Sequence, residues 1–223
     1  MVEMLVVLAI ILILLSLLQP ALQHSLALAH DVVCKNNLRQ VSLAIHTYVE
    51  DWDGIYPRGA SEWEVRWAHK DQPLPGYLGL AEMPDDDFYR TDGHTNLNCP
   101  ASPFDFNEPS PHHDGDWYDY AVNKHLMCTP WMSRESTRVN ELEHPATIFL
   151  ATDRNKAEPG DGSGYWGIFG WDEYTSSLNW RFKTYRHMGM VNLLWADGSA
   201  QSAFIDSLAR ENFGPEFNYV PWR

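Results

Sequence analysis

No lysine or arginine precedes Lys35, and the one charge ahead of the first apolar stretch is the carboxylate of Glu3. That absence argues against an ordinary secretory signal, which places positive charge before its apolar core. Cysteine is scarce as well: three in 223 residues allow one disulfide with a thiol left over. No two of them are closely spaced, which argues against a tetrahedral zinc site built from a local pair. The chain also has no Gly-x-Ser-x-Gly elbow, no phosphate-cradling glycine loop and no His-Glu-x-x-His helix, so the reading it leaves is not an enzyme. Positive charge is in deficit overall, 16 basic against 30 acidic side chains for a net charge of -14. Nucleic acid and anionic lipid surfaces are therefore poor partners.

What the chain has in quantity is apolar length. Residues 4–18 form an apolar run that flows into Pro20-Ala21-Leu22 without a turn. From 21 to 50 a helical rhythm continues, with Leu26, Val33, Leu38, Val41, Ile45 and Tyr48 falling on one face. Lys35, Asn37, Arg39, Gln40, His46 and Glu50 mostly fill the rest. Pro20 is expected to kink this helix without ending it. The reading is one helix from about residue 2 to about residue 52, stopped at Asp53-Gly54, where glycine takes the left-handed conformation. At about 1.5 Å per residue it would be roughly 75 Å long. A head of this size cannot bury that length, so the first half must be solvated by lipid or by other chains.

The segment Val2-Glu3-Met4-Leu5-Val6-Val7-Leu8-Ala9-Ile10-Ile11 resembles the start of mature type IV pilins and pseudopilins, and Pro20 stands where their helices commonly carry a proline. A second resemblance is to a prepilin-type family named for a histidine, nine residues and Asp-Gly, here His187 to Asp197-Gly198. Cys34-Lys35-Asn36-Asn37-Leu38-Arg39-Gln40, Tyr48, Asp53-Gly54, Tyr56-Pro57 and Cys99-Pro100 are similar to the same pattern. The resemblance implies an α+β, pilin-like fold, a long N-terminal helix packed on an antiparallel sheet with long loops. It implies residues 1–25 as the transmembrane or filament-core half of the helix, 26–54 as the half packed on the head, and 55–223 as the head. It further implies a single pass of the inner membrane, a head in the periplasm or outside the cell, and assembly with other pilin-like subunits into a pilus or type II secretion filament. The family's basic leader is not in the sequence, so prepilin peptidase is a partner if a leader lies upstream of Met1. In such relatives the carboxylate corresponding to Glu3 is thought to pair with the amino terminus of a neighbouring subunit. An unpaired carboxylate within hydrocarbon costs about 3 kcal/mol on insertion scales.

Later segments read as sheet. Residues 146–151 read as a buried strand ending at Asp153, and 191–196 as another. Asp197-Gly198 reads as a two-residue hairpin turn into 199–204, and 160–170 as a loop. Nine residues in extended form would hold His187 and Asp197 roughly 30 Å apart, too far to share a metal. His187 is therefore expected to make a structural hydrogen bond, to Asp153 or to a loop carbonyl, and Asp197 to serve the turn. No metal and no cofactor are expected, with Asp153 and His187 the pair to examine for an ion. Cys34 bridged to Cys99 is one disulfide and Cys99 with Cys128 its rival, and the sequence leaves both open.

Acidic clusters such as Asp85-Asp86-Asp87 read as solvated loops, and the cluster around His112-His113 carries no catalytic pattern. Trp63, Trp67, Tyr77, Phe88, Trp117, Tyr118, Tyr120 and Trp131 read first as clamps that fasten the middle of the chain onto the sheet. Their sharper reading is a carbohydrate- or partner-binding face. Two other classes stay open beside the filament subunit. One is a secreted binding protein or hydrolase cut after Ala29, since Ala27-Leu28-Ala29 is a passable signal peptidase site. The other is a membrane-tethered binding module that never polymerises.

Overall fold

The computed structural model describes residues 2–58, 73–79, 97–101, 120–127, 137–153, 168–169 and 186–214. Helix α1 runs Val2–Asp51 and passes through Pro20. Its end follows from two left-handed residues, Asp53 at φ 48° and Gly54 at φ 75°. The Gly54 N–H reaches back to the Val49 carbonyl at 2.9 Å, which closes the last turn as a Schellman-type cap does. A short helix α2, Leu74–Tyr77, lies against the C-terminal part of α1. There Tyr77 meets Tyr48 edge to face at 5.5 Å, and its hydroxyl donates to Asp51 at 3.0 Å.

The two halves of α1 live in different surroundings. Every residue from 2 to 26 is exposed, whereas Asp31, Cys34, Asn37, Leu38, Val41, Ser42, Ala44, Ile45, Tyr48 and Val49 are buried. These ten recur three or four positions apart, so one stripe of the helix faces the head. The stripe is rotated from the purely apolar one expected. Leu26 and Val33 are 50% and 46% exposed, while Asp31, Cys34 and Asn37 take the inward positions. Polar residues can occupy that stripe because the head supplies partners for them.

The sheet is α+β in character, with strand order β3-β1-β2-β4-β5. The strands are β1 Tyr120–Asn123, β2 Phe149–Asp153, β3 Ile168–Phe169, β4 Val191–Trp195 and β5 Ala200–Ala203. β1, β2, β4 and β5 pair antiparallel, and β3 adds to β1 in parallel. Both faces of the sheet are covered. Leu150 and Leu194 join the core under α1, which also holds Leu38, Val41 and Ile45. Phe149, Val191 and Leu193 point the other way, where Phe213 packs edge to face on Phe149 at 4.9 Å. The alternation Val191, Leu193 against Asn192, Leu194 is the period of two that a strand imposes.

Three sequence expectations need correction. The strand read over 146–151 begins later, because Pro145–Thr147 forms a 3-10 turn and the strand proper includes Asp153. A bulge between Phe149 and Ala151 then resets the register against β4. The segment 160–170 is not all loop, since Ile168 and Phe169 form β3. The hairpin after β4 has three loop residues, Ala196, Asp197 and Gly198, because the Trp195 N–H bonds to the Ser199 carbonyl at 2.8 Å. Gly198, at φ 87°, sits where such a three-residue loop requires a left-handed residue.

Candidate functional site

Four separated segments converge on one buried cluster between α1 and the sheet. Asp31 and Cys34 come from the inward stripe of α1, one turn apart. Cys99 comes from the segment 97–101, which is tied to the helix where Asn37 Nδ2 donates to the Asn98 carbonyl at 2.9 Å. Asp153 ends β2. His187 stands just before β4, in a tight turn whose central residues Met188 and Gly189 have φ of 55° and 83°. The Met190 N–H closes that turn on the His187 carbonyl at 3.1 Å. Cys34, Cys99, Asp31, Asp153 and His187 are all buried.

The imidazole is the hub. Its Nε2 lies 3.3 Å from Cys99 Sγ and 3.2 Å from Asp153 Oδ2. Its Nδ1 faces Asp31 Oδ1 at 3.3 Å, within ion-pair range. Asp31 is held in turn by Lys35 Nζ, which donates to Oδ2 at 2.7 Å, and by Asn192 Nδ2, which donates to Oδ1 at 2.9 Å. The Asn192 backbone N–H donates to Asp153 Oδ1 at 2.7 Å. One residue of β4 thus positions both carboxylates that flank the ring. Tyr120 Oη donates to Cys34 Sγ at 3.3 Å. The ligand atoms of Cys34, Cys99 and His187 lie within 4.8 Å of one another.

These contacts displace the protonation equilibria. Burial works against charge on His187, but the hydrogen bonds and negative charge of Asp153 and Cys99 prevail and raise its pKa to about 10. The hydrogen bond from Cys34 is the main reason Cys99 is lowered to about 6; burial opposes this and His187 reinforces it. The same thiol contact, with burial and the charge of Asp153, pushes Cys34 up. Burial raises Asp31, yet the hydrogen bonds from Lys35 and Asn192 outweigh it and hold the carboxyl below its usual range. Chemically, two sulfurs, an imidazole and two carboxyl groups are enclosed at the junction of helix and head, with loss of the Cys99 proton made easier and the charged form of the ring favoured. Such an arrangement can hold a proton, a sulfur–sulfur bond or a cation.

Of the two partners expected for His187, Asp153 and a loop carbonyl, the geometry supplies Asp153. Asp197 serves the turn as expected, its Oδ1 accepting from the Ser199 N–H at 2.8 Å. The extended distance of roughly 30 Å between His187 and Asp197 does not apply, because 187–190 folds into a turn before β4 starts. Gly198 has a tertiary role besides its turn: a Cβ there would lie 3.3 Å from Ser42 Oγ on α1. The His-x9-Asp-Gly spacing thereby acquires a physical meaning. His187 meets α1 at Asp31, and the hairpin tip meets it at Ser42, eleven positions on. Eleven helical residues rise about 16 Å, close to the roughly 17 Å of a five-residue strand.

Cys34 and Cys99 are not joined in a disulfide and are brought side by side, although 65 positions separate them. Wide sequence spacing, the ground for expecting no cysteine-based metal site, is thus no guide to their distance. Cys128, the rival partner, lies outside the described residues. So do Trp63, Trp67, Phe88, Trp117, Tyr118, Trp131, the clusters at 85–87 and 112–116. Of the aromatic residues singled out, Tyr120 is buried in the core and Tyr77 clamps α1 instead of the sheet. Glu3 and Pro20 stand on the exposed half of α1, remote in sequence from the cluster. Asp31 and Asn192 were not anticipated as site residues. Extending the helical rhythm to polar positions would have found Asp31, since 31, 34, 38, 41 and 45 share one face.

The chain matches no protein-family model, no curated protein and no solved structure.

Proposed function

We propose that this protein is a pilin-like or pseudopilin subunit, held by its helix in the inner membrane and assembled through that helix into a filament with copies or relatives. The observation that carries this reading is the division of α1. Residues 31–49 bury a stripe against the head, while residues 2–26 are exposed, and none of the helix's most apolar window is covered. By length and composition α1 is a candidate single membrane span. Twenty-five residues extend about 37 Å, enough for a hydrocarbon core of about 30 Å. An apolar rod of that kind needs either lipid or other helices around it, and a subunit that passes from membrane to filament uses both in turn.

The head rides on the second half of the same helix through a packed core, so movement of the rod carries the head with it. Membrane orientation and the identity of the assembly belong to the proposal and follow the pilin resemblance. Photo-crosslinking from Leu12, in cells that express the full chain, tests it. Ladders of cross-linked subunits are expected. Exclusive recovery of monomers in membranes would instead favour a tethered binding module.

A further inference from the structure

We propose that Cys34, Cys99, His187 and Asp153 form a tetrahedral zinc site that fastens the helix to the head. Cys99 Sγ to His187 Nε2 is 3.3 Å, and His187 Nε2 to Asp153 Oδ2 is 3.2 Å. With metal–ligand bonds of about 2.0–2.3 Å, the edges of a tetrahedron span about 3.3–3.8 Å. The contacts are therefore near those of ligands around a common ion. The ligand atoms of Cys34, Cys99 and His187 form the core of the set, all within 4.8 Å of one another, and Asp153, tied to it by its 3.2 Å contact with Nε2, moves in to take the fourth position on a bound ion.

The surroundings favour an ion further. A single Nε2–H cannot point at Cys99 and Asp153 together, whereas a metal on the ring's lone pair is shared by all three. His187 Nδ1 faces the carboxylate of Asp31 at 3.3 Å. The approach lacks the alignment of a hydrogen bond, but it places a carboxylate on the side of the ring from which a metal-bound histidine is commonly oriented. Asp31 is itself held by Lys35 and Asn192, and Tyr120 donates to Cys34 Sγ. The donors are two sulfurs, one imidazole nitrogen and one carboxylate oxygen, a set that suits zinc over magnesium or calcium. Four protein ligands, all buried, leave no position for substrate, so the ion serves structure. On binding, the metal replaces the Nε2 proton and the thiol protons, which pass to solvent.

The site joins α1, the 97–101 segment, β2 and the turn before β4, and it is independent of the assembly reading. The rival use of the same sulfurs is a Cys34–Cys99 disulfide. The full chain, purified in detergent from zinc-supplemented cells without chelator or reductant, separates the two. About one zinc per chain, with all three cysteines alkylated after denaturation in chelator, is expected. Zinc far below one per chain overturns the site, whether the cysteines are then bridged or free.

Cobalt provides a second readout that does not depend on a variant folding. Chelator-stripped, still folded protein titrated with Co2+ should give thiolate-to-metal charge transfer in the near ultraviolet and the visible bands of tetrahedral cobalt. A folded chain without them overturns the proposal. Cys99→Ser should reduce the charge transfer by about half, while Asp31→Asn should keep it and weaken affinity about 10–100-fold. Unchanged affinity in D31N and unchanged charge transfer in C99S would both count against it.

Discussion

Asn192, the second residue of β4, donates from Nδ2 to Asp31 Oδ1 on the helix at 2.9 Å, joining residues 161 positions apart. The same asparagine accepts from Ser202 Oγ at 2.8 Å and gives its backbone N–H to Asp153. Replacement by leucine keeps the volume and removes the side-chain donor, leaving Asp31 short of one hydrogen bond. Hydrogen bonds to charged groups contribute about 1.5–3 kcal/mol. Asn192→Leu should lower the stability of the head by that order in the full chain in detergent, read from the denaturation midpoint by tryptophan fluorescence. An unchanged midpoint would show that the link between β4 and α1 is energetically idle.

The tip of the β4–β5 hairpin offers a cleaner backbone test. Gly198 has φ 87°, and an added Cβ would stand 3.3 Å from Ser42 Oγ. Gly198→Ala combines left-handed strain, of order 1–3 kcal/mol, with a close contact on the helix. The same denaturation experiment should show a loss of that order. Pairing Gly198→Ala with Ser42→Ala, which removes only the Oγ it would crowd, separates the two effects, because the double variant recovers only the part due to crowding.

Alkaline stability should depend on Tyr56. Its ring is buried, its hydroxyl has no hydrogen-bond partner among the described residues, and burial raises its pKa to about 12. The ordinary value is about 10. A group raised on folding contributes stability that is complete below its unfolded pKa and is lost as pH climbs toward the folded one. Tyrosine 56 therefore contributes to a decline between pH 10 and 12. Tyr56→Phe should remove that part of the decline and be neutral or mildly stabilising at pH 8, since no buried hydroxyl is left unpaired. Parallel stability–pH curves for the two proteins above pH 10 would contradict this.

On the assembly proposal the side chain to test is Glu3, the acidic residue in the first turn of α1. Replacement with alanine or valine makes the segment more apolar, so membrane insertion should persist. Incorporation into filaments should fall, because the carboxylate proposed to meet a neighbour's amino terminus is gone. Fractionation and shearing of filaments from cells measure both steps. Normal filament yield from Glu3→Val would remove the pairing role.

Several of these features were legible in the residues. The 50-residue helix and its stop at Asp53-Gly54 follow from continuous apolar length and one glycine. The β4–β5 hairpin follows from alternation and Asp197-Gly198. The residues predict a structural contact for His187 with Asp153 or a loop carbonyl, and the fold brings it to Asp153. The start of β2 was missed because Pro145 diverts residues that otherwise read as strand. β3 was missed because two residues are too short to carry a period, and backbone pairing with β1 creates the strand.

Local chemistry along the chain thus determined a rod, its end, a hairpin and the residue types able to bind sulfur, protons or metal. Whether those residues meet depended on the third dimension. Rotation of the helix stripe brings Asp31 and Cys34 inward, and sheet order lays β4 alongside them. Asn192, Asp153 and Cys99 then arrive from strands and a loop far away in sequence. Periodicity reports which side of an element is covered; only packing decides what covers it.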